Sequence, residues 1–457
     1  MNRNKYIGIS ALSLLFILFL TKPDSATSEG QLQALIDQAS AGSAVTLLDH
    51  TYEDEIIITK PITLIGSEYT VIRSCSNQPL LQVQADDVKL QNIQLEHCKD
   101  DNSTIGPQGQ SGAGHEHDNH EQEETEIGGP SIYLSGSNIT LDNIQINSRS
   151  TGIRLDGVTN SVIKGGKITT NGAGHAIDVW DSTENVIQGV EINHVLDGIY
   201  MERGSKNKIL QNNIQSARYG LHLMYSDEVV VQSNLSHLNF TGAMVMTTNN
   251  AQVIDNTFSF NNSNVHSQGL LLFDADDTIV RNNTITQNRV GIFMESAEGN
   301  EVMDNLITSN FIGVQFNKTN LNTVTNNSFI GNVNELQAVD SIKNNVDHNY
   351  WDASMKLQQG NEGTSIFPYA AEPLYLLLTE DTPAYQLFFD SPGITVLKAL
   401  FKVPAENVMQ DENPLMTPPV QPDGDGFNLL PFILKVFIGL GFTIIGIKLF
   451  NTRRKYK

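Results

Sequence analysis

Four side chains near the middle of the chain have the chemistry of a soft metal site. His222 and Met224 alternate with leucines in "YGLHLMYS", and Met244 and Met246 alternate in the same way in "TGAMVMT". One imidazole and three thioethers suit Cu(I), a soft ion, and suit Zn, Ca or Mg poorly. The same residues could instead form a methionine-rich docking face or a face covered by a loop. The interpretations are compatible if a docked partner delivers or receives the metal.

A repeat of about 22 residues surrounds these two segments. Short strands led by a small residue recur along the chain, at Gly152, Ala176, Gly198, Gly220, Gly242, Gly269, Gly291 and Gly313. A second series repeats in phase with it, at Asn212, Asn234, Asn256, Asn283, Asn305 and Asn327. Stacked asparagines can hydrogen-bond along a ladder and tolerate turn backbone. The pattern predicts an all-β fold, a right-handed parallel β-helix with about 22 residues per coil, over residues 27–351.

Side-chain alternation separates the two faces of each Gly-led strand. The first and third residues after the glycine are apolar throughout and should face the core, which makes Met201 and Met294 ordinary core residues. The second and fourth residues should face outward. His222 and Met224 then lie beside Met244 and Met246 on the next coil, close enough to converge on one point. The neighbouring outward residues predict a partner surface, since contiguous apolar patches usually mark interaction sites: Trp180, Tyr200, Leu271, Phe273 and Phe293.

Both ends of the chain predict an extracytoplasmic protein held at the cell membrane. Residues 1–26 contain two basic residues and a short apolar run, which is typical of a signal peptide. Residues 427–450 predict one transmembrane helix, and the basic residues in 451–457 predict a cytoplasmic tail. Residues 352–426 form a C-terminal extension and linker between the solenoid and this helix. A net charge of −23 argues against nucleic acid as a partner.

A stretch at 101–129 interrupts the repeat and is rich in histidine and glutamate. His115, His117 and His120 in "GHEHDNHEQEE" are a weak candidate for capture of Cu(II), Zn or Ni, and a solvated acidic loop is the alternative. Cys75 and Cys98 are separated by about one coil, so their sulfurs should lie on adjacent coils. We expect a disulfide there in an oxidising compartment, with a reduced copper site that includes His97 as the alternative.

An enzyme is the competing interpretation, because many β-helices cleave acidic polysaccharides. A lyase needs clustered carboxylates for Ca²⁺ and a basic residue that abstracts a proton. His175, Asp178 and Asp181 come nearest to this, whereas Asp274, Asp276 and Asp277 are typical of a polar loop. An acidic surface would repel an anionic glycan. We therefore predict that the chain is not an enzyme, with a polysaccharide lyase, a carbohydrate-binding protein or a structural surface solenoid as alternatives.

The chain resembles the NosD family, extracytoplasmic β-helix proteins needed to mature the copper sites of nitrous oxide reductase. The resemblance is carried by "YGLHLMYS", "TGAMVMT" and "QGLLLFD", by "NNVDHNYWD" at the end of the solenoid, and by the tail that begins "FPYAAEPLYLLL". His222 and Met224 match the family's strand. The His-rich loop and the membrane helix look like additions, and "ASMKLQQGNEGTS" replaces the Asp/Gly-rich run expected after "HNYWD".

The resemblance implies a role as the outer component of an ABC transporter complex with an ATPase and a permease. The protein would accept copper from a copper chaperone and help to assemble the copper site of nitrous oxide reductase in denitrification. The tail from about 367 to 419 would dock on the permease. The chain has no GxxxxGK[ST] loop, so ATP hydrolysis would belong to the partner.

Overall fold

The computed structural model describes residues 30–98, 128–341, 343–371 and 408–421, together with six separate positions between 385 and 397. It begins with helix α1 (Gln31–Gln38), which the sequence analysis did not predict. Leu32 and Ile36 of α1 are buried in the main hydrophobic core. The Asp54 carboxylate accepts hydrogen bonds from the backbone N–H of Leu32 (2.8 Å) and of Gly30. The helix thus covers the apolar residues that the first coil would otherwise expose.

The strands follow in chain order. The first nineteen are β1 (Ala44–Thr46), β2 (Thr51–Tyr52), β3 (Ile56–Ile58), β4 (Thr63–Ile65), β5 (Val71–Ser74), β6 (Leu81–Val83), β7 (Lys89–Gln91), β8 (Gln94–His97), β9 (Ile132–Leu134), β10 (Thr140–Asn147), β11 (Ile153–Asp156), β12 (Val162–Thr169), β13 (Ile177–Trp180), β14 (Val186–Gln188), β15 (Glu191–Asn193), β16 (Asp197–Glu202), β17 (Lys208–Leu210), β18 (Asn213–Gln215) and β19 (Tyr219–Met224). The others are β20 (Val230–Gln232), β21 (Leu235–His237), β22 (Thr241–Met246), β23 (Gln252–Ile254), β24 (Thr257–Ser259), β25 (Gln268–Phe273), β26 (Ile279–Arg281), β27 (Thr284–Thr286), β28 (Val290–Glu295), β29 (Glu301–Met303), β30 (Leu306–Thr308), β31 (Ile312–Asn317), β32 (Thr323–Thr325), β33 (Ser328–Ile330), β34 (Asn334–Val339), β35 (Asn345–Asp347), β36 (Tyr350–Trp351), β37 (Tyr369–Ala370) and β38 (Gln410–Asp411).

The strands stack into the predicted parallel β-solenoid. The eight Gly- or Ala-led strands and four further strands form one 12-stranded sheet in the order β3-β6-β9-β11-β13-β16-β19-β22-β25-β28-β31-β34. The other strands of each coil pair in parallel along two further faces. Each coil therefore places equivalent residues beside one another, at a spacing of about 4.8 Å along the axis. Among the strands of the described ranges, β37 and β38 form the one antiparallel pair, and an isolated antiparallel bridge joins Thr364 to Leu415.

The interior of the solenoid confirms the predicted inward columns. Leu221 and Leu223 of β19 are 0% exposed, and so are Met201 and Met294, which are core residues as predicted. The predicted asparagine ladder is also confirmed by amide-to-amide hydrogen bonds of 2.9–3.1 Å, from Asn212 through Asn234, Asn256, Asn283, Asn305 and Asn327 to Asn349. A second ladder, not predicted, joins Asn261, Asn288, Asn310 and Asn332.

A pair of returning segments closes the C-terminal end of the solenoid at Trp351. The Trp351 ring stacks between Phe329 (centroids 4.2 Å apart) and Tyr369 (4.6 Å). Its indole N–H donates to Asp411 Oδ2 at 2.8 Å. Asp411 also accepts from the backbone N–H of Asn349 at 2.9 Å, so it continues the asparagine ladder by one step. The residues after the last coil thereby cover the apolar end of the core.

Several predicted segments lie outside the described residues. These are the signal peptide, nearly all of the loop at 101–129, most of the docking tail, the transmembrane helix at 427–450 and the cytoplasmic tail. Within the described ranges, α1 is too short to cross a bilayer, and no other helix there is long and apolar enough to do so. The membrane anchor therefore stays a prediction.

Candidate metal centre

The register of two neighbouring strands brings the four predicted soft ligands together. In the pairing of β19 with β22, His222 is the partner of Met244 and Met224 is the partner of Met246. Paired residues are about 4.8 Å apart, and residues two apart in a strand are separated by about 6.7 Å. The four Cα atoms thus mark the corners of a small rectangle, and their side chains leave the same face of the sheet. We call this face, opposite to the core, the outer face.

His222 is held by a buried carboxylate on the preceding coil. Its Nδ1 is 3.1 Å from Asp197 Oδ2, and the imidazole is only 7% exposed. Arg218 donates two hydrogen bonds to the same carboxylate, from Nε at 2.9 Å and from Nη2 at 2.7 Å. Burial by itself would raise the pKa of Asp197, but the charge of Arg218 and the hydrogen bonds from His222 and Arg218 outweigh it and hold that pKa well below its usual range.

Aromatic rings pack around the imidazole of His222. Tyr200 meets it edge-on, with centroids 5.0 Å apart, and Tyr219 lies tilted against it at 4.6 Å. Tyr200 is itself stacked on His175 at 4.8 Å, and Trp180 lies 5.7 Å from Tyr200. The imidazole therefore has one carboxylate partner and two ring neighbours, which restrict its rotation.

The sulfur of Met224 lies at the side of this aromatic group. The Tyr200 hydroxyl oxygen is 3.6 Å from Met224 Sδ and 2.7 Å from Glu202 Oε2. A phenol has one proton to donate, and the shorter contact to a carboxylate is the stronger hydrogen bond. Burial, followed by this bond to Glu202, raises the pKa of Tyr200 far above its usual value, so the phenol stays neutral. The lone pairs of the Met224 thioether are therefore available to a soft ion.

Three of the four side chains of the candidate centre are thioethers, and this determines which metal ion they suit. Over the described ranges, no group of three or more His, Cys, Asp or Glu side chains is arranged to hold a metal ion. The sites that would attract Ca²⁺, Mg²⁺ or Zn²⁺ are built from such groups. One imidazole beside three thioethers fits Cu(I), so the residues present agree with the ion that the sequence predicts.

The predicted partner surface lies on the outer face on both sides of the centre, but it is less open than the sequence suggests. Trp180 and Tyr200 precede the centre and are half-buried. Leu271 and Phe293 follow it and are each only 6% exposed, within a second apolar cluster that also includes Val290 and Ile312. Phe273 and Met244 pack against that cluster and are half-buried. Alternation predicts the face of a side chain correctly, but it does not predict how much of that side chain its neighbours cover.

The remaining predicted residues fall into three groups. Cys75 and Cys98 form a disulfide between adjacent coils, with Cα atoms 4.8 Å apart. His97 turns away from that pair, because its Nδ1 hydrogen-bonds to Ser148 Oγ at 3.0 Å. Burial, and then the charge of Arg149, lower the pKa of His97 to about 4. His115, His117 and His120 lie outside the described residues.

The carboxylates of the lyase alternative are engaged in structural contacts. Asp178 Oδ2 accepts from Arg154 Nε at 2.7 Å, and its Oδ1 accepts from Trp180 Nε1 at 2.6 Å. Asp181 is paired with Arg203 at 2.8 Å. Both carboxylates therefore act as partners of arginines, and the geometry gives no specific support to a lyase.

Sequence reasoning missed Asp197 and Arg218. Alternation counted forward from each glycine does not reach them, because Asp197 comes immediately before Gly198 and Arg218 two residues before Gly220. A signal was present, because an aspartate directly before a buried strand needs a partner. The arginine that supplies it lies one coil later, one residue before Tyr219, which is the register partner of Asp197.

Residues 172–364, which include the whole centre, match the family model described as "Periplasmic copper-binding protein (NosD)". Residues 83–258 match the model described as "Right handed beta helix region", which agrees with the predicted handedness. The chain is a NosD-like parallel β-helix protein. No curated protein sequence matches it.

Several solved structures are similar to the chain at low sequence identity. A variant of the periplasmic alginate epimerase AlgG is 12% identical to the NosD-like chain over 68% of this chain and 78% of its own, with a TM-score of 0.51. The A-module of the Azotobacter vinelandii mannuronan C-5 epimerase AlgE6 is 14% identical over 69% and 92%, with a TM-score of 0.43. PfbA, a surface adhesin of Streptococcus pneumoniae, is 12% identical over 69% and 88%, with a TM-score of 0.44. Of these three, the AlgG variant has a TM-score above 0.5, and at 12% identity its similarity concerns the fold alone.

Proposed function

We propose that this NosD-like protein is an extracytoplasmic accessory protein that binds Cu(I) through His222, Met224, Met244 and Met246. The observation that carries the proposal is the register of β19 and β22, which pairs His222 with Met244 and Met224 with Met246 on one face. The match to a family described as periplasmic and copper-binding covers both strands. A thioether-rich set would hold Cu(I) and would leave hard divalent ions unbound.

The wider role follows from the family resemblance. The protein would accept copper from a chaperone, act with the ATPase and permease of an ABC transporter, and support assembly of the copper site of nitrous oxide reductase. It would not itself be an enzyme. The half-buried rings of Trp180, Tyr200 and Phe273 border the centre on both sides and would contact the protein that delivers or receives the ion. A C-terminal membrane helix would keep the protein at the cell surface.

Anaerobic competition for Cu(I) between the full-length chain and a chromogenic chelator tests the proposal. We expect the unsubstituted chain to bind one Cu(I) tightly and the M224L/M244L/M246L variant to lose that binding. Leucine keeps the apolar volume and removes the sulfur. The matched control is M201L/M294L, which replaces two methionines of the same sheet that face the core and are 0% exposed. That control should keep full affinity.

Two further variants separate the alternatives. If H115A/H117A/H120A abolishes binding and M224L/M244L/M246L does not, the ion belongs to the loop and the proposed centre is wrong. If no variant binds Cu(I) and neither does the unsubstituted chain, His222 and the three methionines form a docking face. Copper content of nitrous oxide reductase co-produced with each variant then tests the accessory role, which requires lower content with M224L/M244L/M246L than with M201L/M294L.

A further inference from the structure

We propose that Asp197 is a positioning residue for the copper centre: it accepts the Nδ1–H hydrogen bond of His222 and thereby presents Nε2 to the ion. This inference rests on the proposed function, because it assigns the nitrogen that binds and the group that orients it. Asp197 lies on β16, one coil before His222, and its side chain is 0% exposed.

The hydrogen bonds around Asp197 decide which imidazole nitrogen carries the hydrogen. Both carboxylate oxygens accept from Arg218, at 2.9 Å and 2.7 Å, and Oδ1 also accepts from the backbone N–H of Tyr219 at 3.2 Å. A carboxylate paired with an arginine on both oxygens is an acceptor only. The contact of 3.1 Å between Asp197 Oδ2 and His222 Nδ1 therefore requires the hydrogen on Nδ1. In a neutral imidazole, Nε2 then keeps its lone pair.

The direction of the ring follows from the same contact. Asp197 and Met244 lie on opposite sides of His222 along the axis, on the preceding and the following coil. Because Nδ1 bonds to a side chain of the preceding coil, the proposed orientation places Nε2 on the side of the following coil, where Met244 and Met246 lie. Tyr200 and Tyr219 pack against the ring in this orientation. Carboxylates that hold a metal-binding histidine in this way fix its tautomer and its direction.

The arrangement also explains why a carboxylate is buried here at all. Taking Asp197 out of water is costly, and its pairing with Arg218, whose side chain stays 38% exposed, gives little net stability compared with apolar residues of similar size. The Arg218 bonds fill two acceptor positions and keep the carboxylate in one orientation. Oδ2 can accept a further hydrogen bond, and two imidazoles lie close to it: His222 Nδ1 at 3.1 Å and His175 Nδ1 at 3.5 Å. The pair thus acts as a fixed support for the imidazole.

Asp197→Asn is the test, and Asp178→Asn is the matched control. Asp178 is also 0% exposed and is paired with an arginine, Arg154, on an adjacent strand of the same sheet. The Asp178 side chain is bound by Arg154 and Trp180 and makes no hydrogen bond to His222 among the described contacts. Because Asp197→Asn leaves Arg218 without its charge partner, D197N/R218Q is a second variant that removes both charges together and preserves the approximate volume.

Two readouts are needed on the full-length chain. The first is the His222 tautomer of the metal-free protein, from the ¹⁵N shifts of histidine-labelled protein, with the signal assigned by loss in His222→Gln. The second is Cu(I) affinity by chelator competition. We expect the Nδ1–H tautomer in the unsubstituted chain and in D178N. We expect a changed tautomer population and an affinity lowered by about 10- to 100-fold in D197N and in D197N/R218Q.

The outcomes separate this inference from the proposed function. If the unsubstituted chain shows the hydrogen on Nε2, or if D197N and D197N/R218Q keep both the tautomer and the affinity, the positioning role is wrong even though copper binds. If D178N weakens Cu(I) binding as much as D197N does, the effect is general to buried carboxylates of this sheet and the assignment to Asp197 is also wrong. If the Nδ1–H tautomer is present and depends on Asp197 but no Cu(I) binds, the orientation of His222 stands and the proposed function fails.

Discussion

Glu335 occupies the place that glycine holds in the preceding coils, and its burial makes a strong prediction about pH. The side chain is 2% exposed at the C-terminal end of the solenoid. Burial is the main cause that raises its pKa to about 8, from 4.5 for a free glutamate, and the nearby charge of Asp352 raises it further. The backbone N–H groups of Ala353 and Asp352 and the charge of Lys356 act against this shift. The folded state therefore favours the protonated carboxyl.

The sign and size of the effect follow from linkage. A carboxyl whose pKa is raised on folding costs nothing below the unfolded pKa of 4.5, where both states are protonated. Between pH 4.5 and pH 8 the unfolded state loses its proton and the folded state keeps it, so stability falls by about 1.4 kcal/mol per pH unit. The loss reaches about 4 kcal/mol at pH 8 as an upper value. Glu335→Gln removes the titration and should prevent most of this loss.

Hydrogen exchange can measure this loss of stability in the C-terminal coils alone. It suits a solenoid, because the end of a solenoid can open while the other coils stay folded. The peptide amides of β34 and β35 should lose protection between pH 5 and pH 8 in the unsubstituted chain, after correction for intrinsic rates, and should keep it in Glu335→Gln. Glu362→Gln, an exposed carboxylate in the segment that follows the last coil, controls for the loss of one negative charge. Equal protection at both pH values in the unsubstituted chain would refute the reasoning.

Two other predictions concern the solenoid itself. Asn256→Ala should lower the free energy of unfolding by about 2–4 kcal/mol, because it leaves the buried backbone N–H of Asn234 and the buried carbonyl of Val231 without their partner in the ladder. Asn262→Ala on the exposed surface should change it by less than about 1 kcal/mol. Denaturant unfolding of both variants checks this, and equal costs would contradict it. Reduction of the Cys75–Cys98 disulfide should lower stability by about 3 kcal/mol for a loop of this length. Mass spectrometry of the alkylated, non-reduced protein should find no free thiol.

The repeated part of the fold could be predicted because its contacts are local in the sequence. A residue such as His222 pairs with Met244 one coil later, so the period of the glycines already predicts the register. The same stacking predicts the inward columns and the ladder through Asn256. Handedness and architecture then follow from the strand pattern.

The parts that interrupt or end the repeat could not be predicted in this way. Helix α1 and the closure by Asp411 depend on the apolar ends that the coils leave open, and Asp411 reaches Asn349 across more than sixty residues of chain. Asp197 holds its position through a partner one coil later, outside the columns counted from glycine. The coverage of Leu271 and Phe293 depends on neighbours that alternation does not specify. Sequence therefore predicted which four side chains the register brings together, and it did not predict that Asp197 and Arg218 lie beside His222.

X-ray absorption at the copper edge of the full-length chain loaded with one Cu(I) tests the central claim most directly. The account predicts a first shell of one nitrogen and three sulfur ligands, with the sulfur contribution lost in M224L/M244L/M246L and retained in M201L/M294L. A shell made only of nitrogen, unchanged by the methionine substitutions and removed by H115A/H117A/H120A, would contradict the account and assign the copper to the histidine-rich loop.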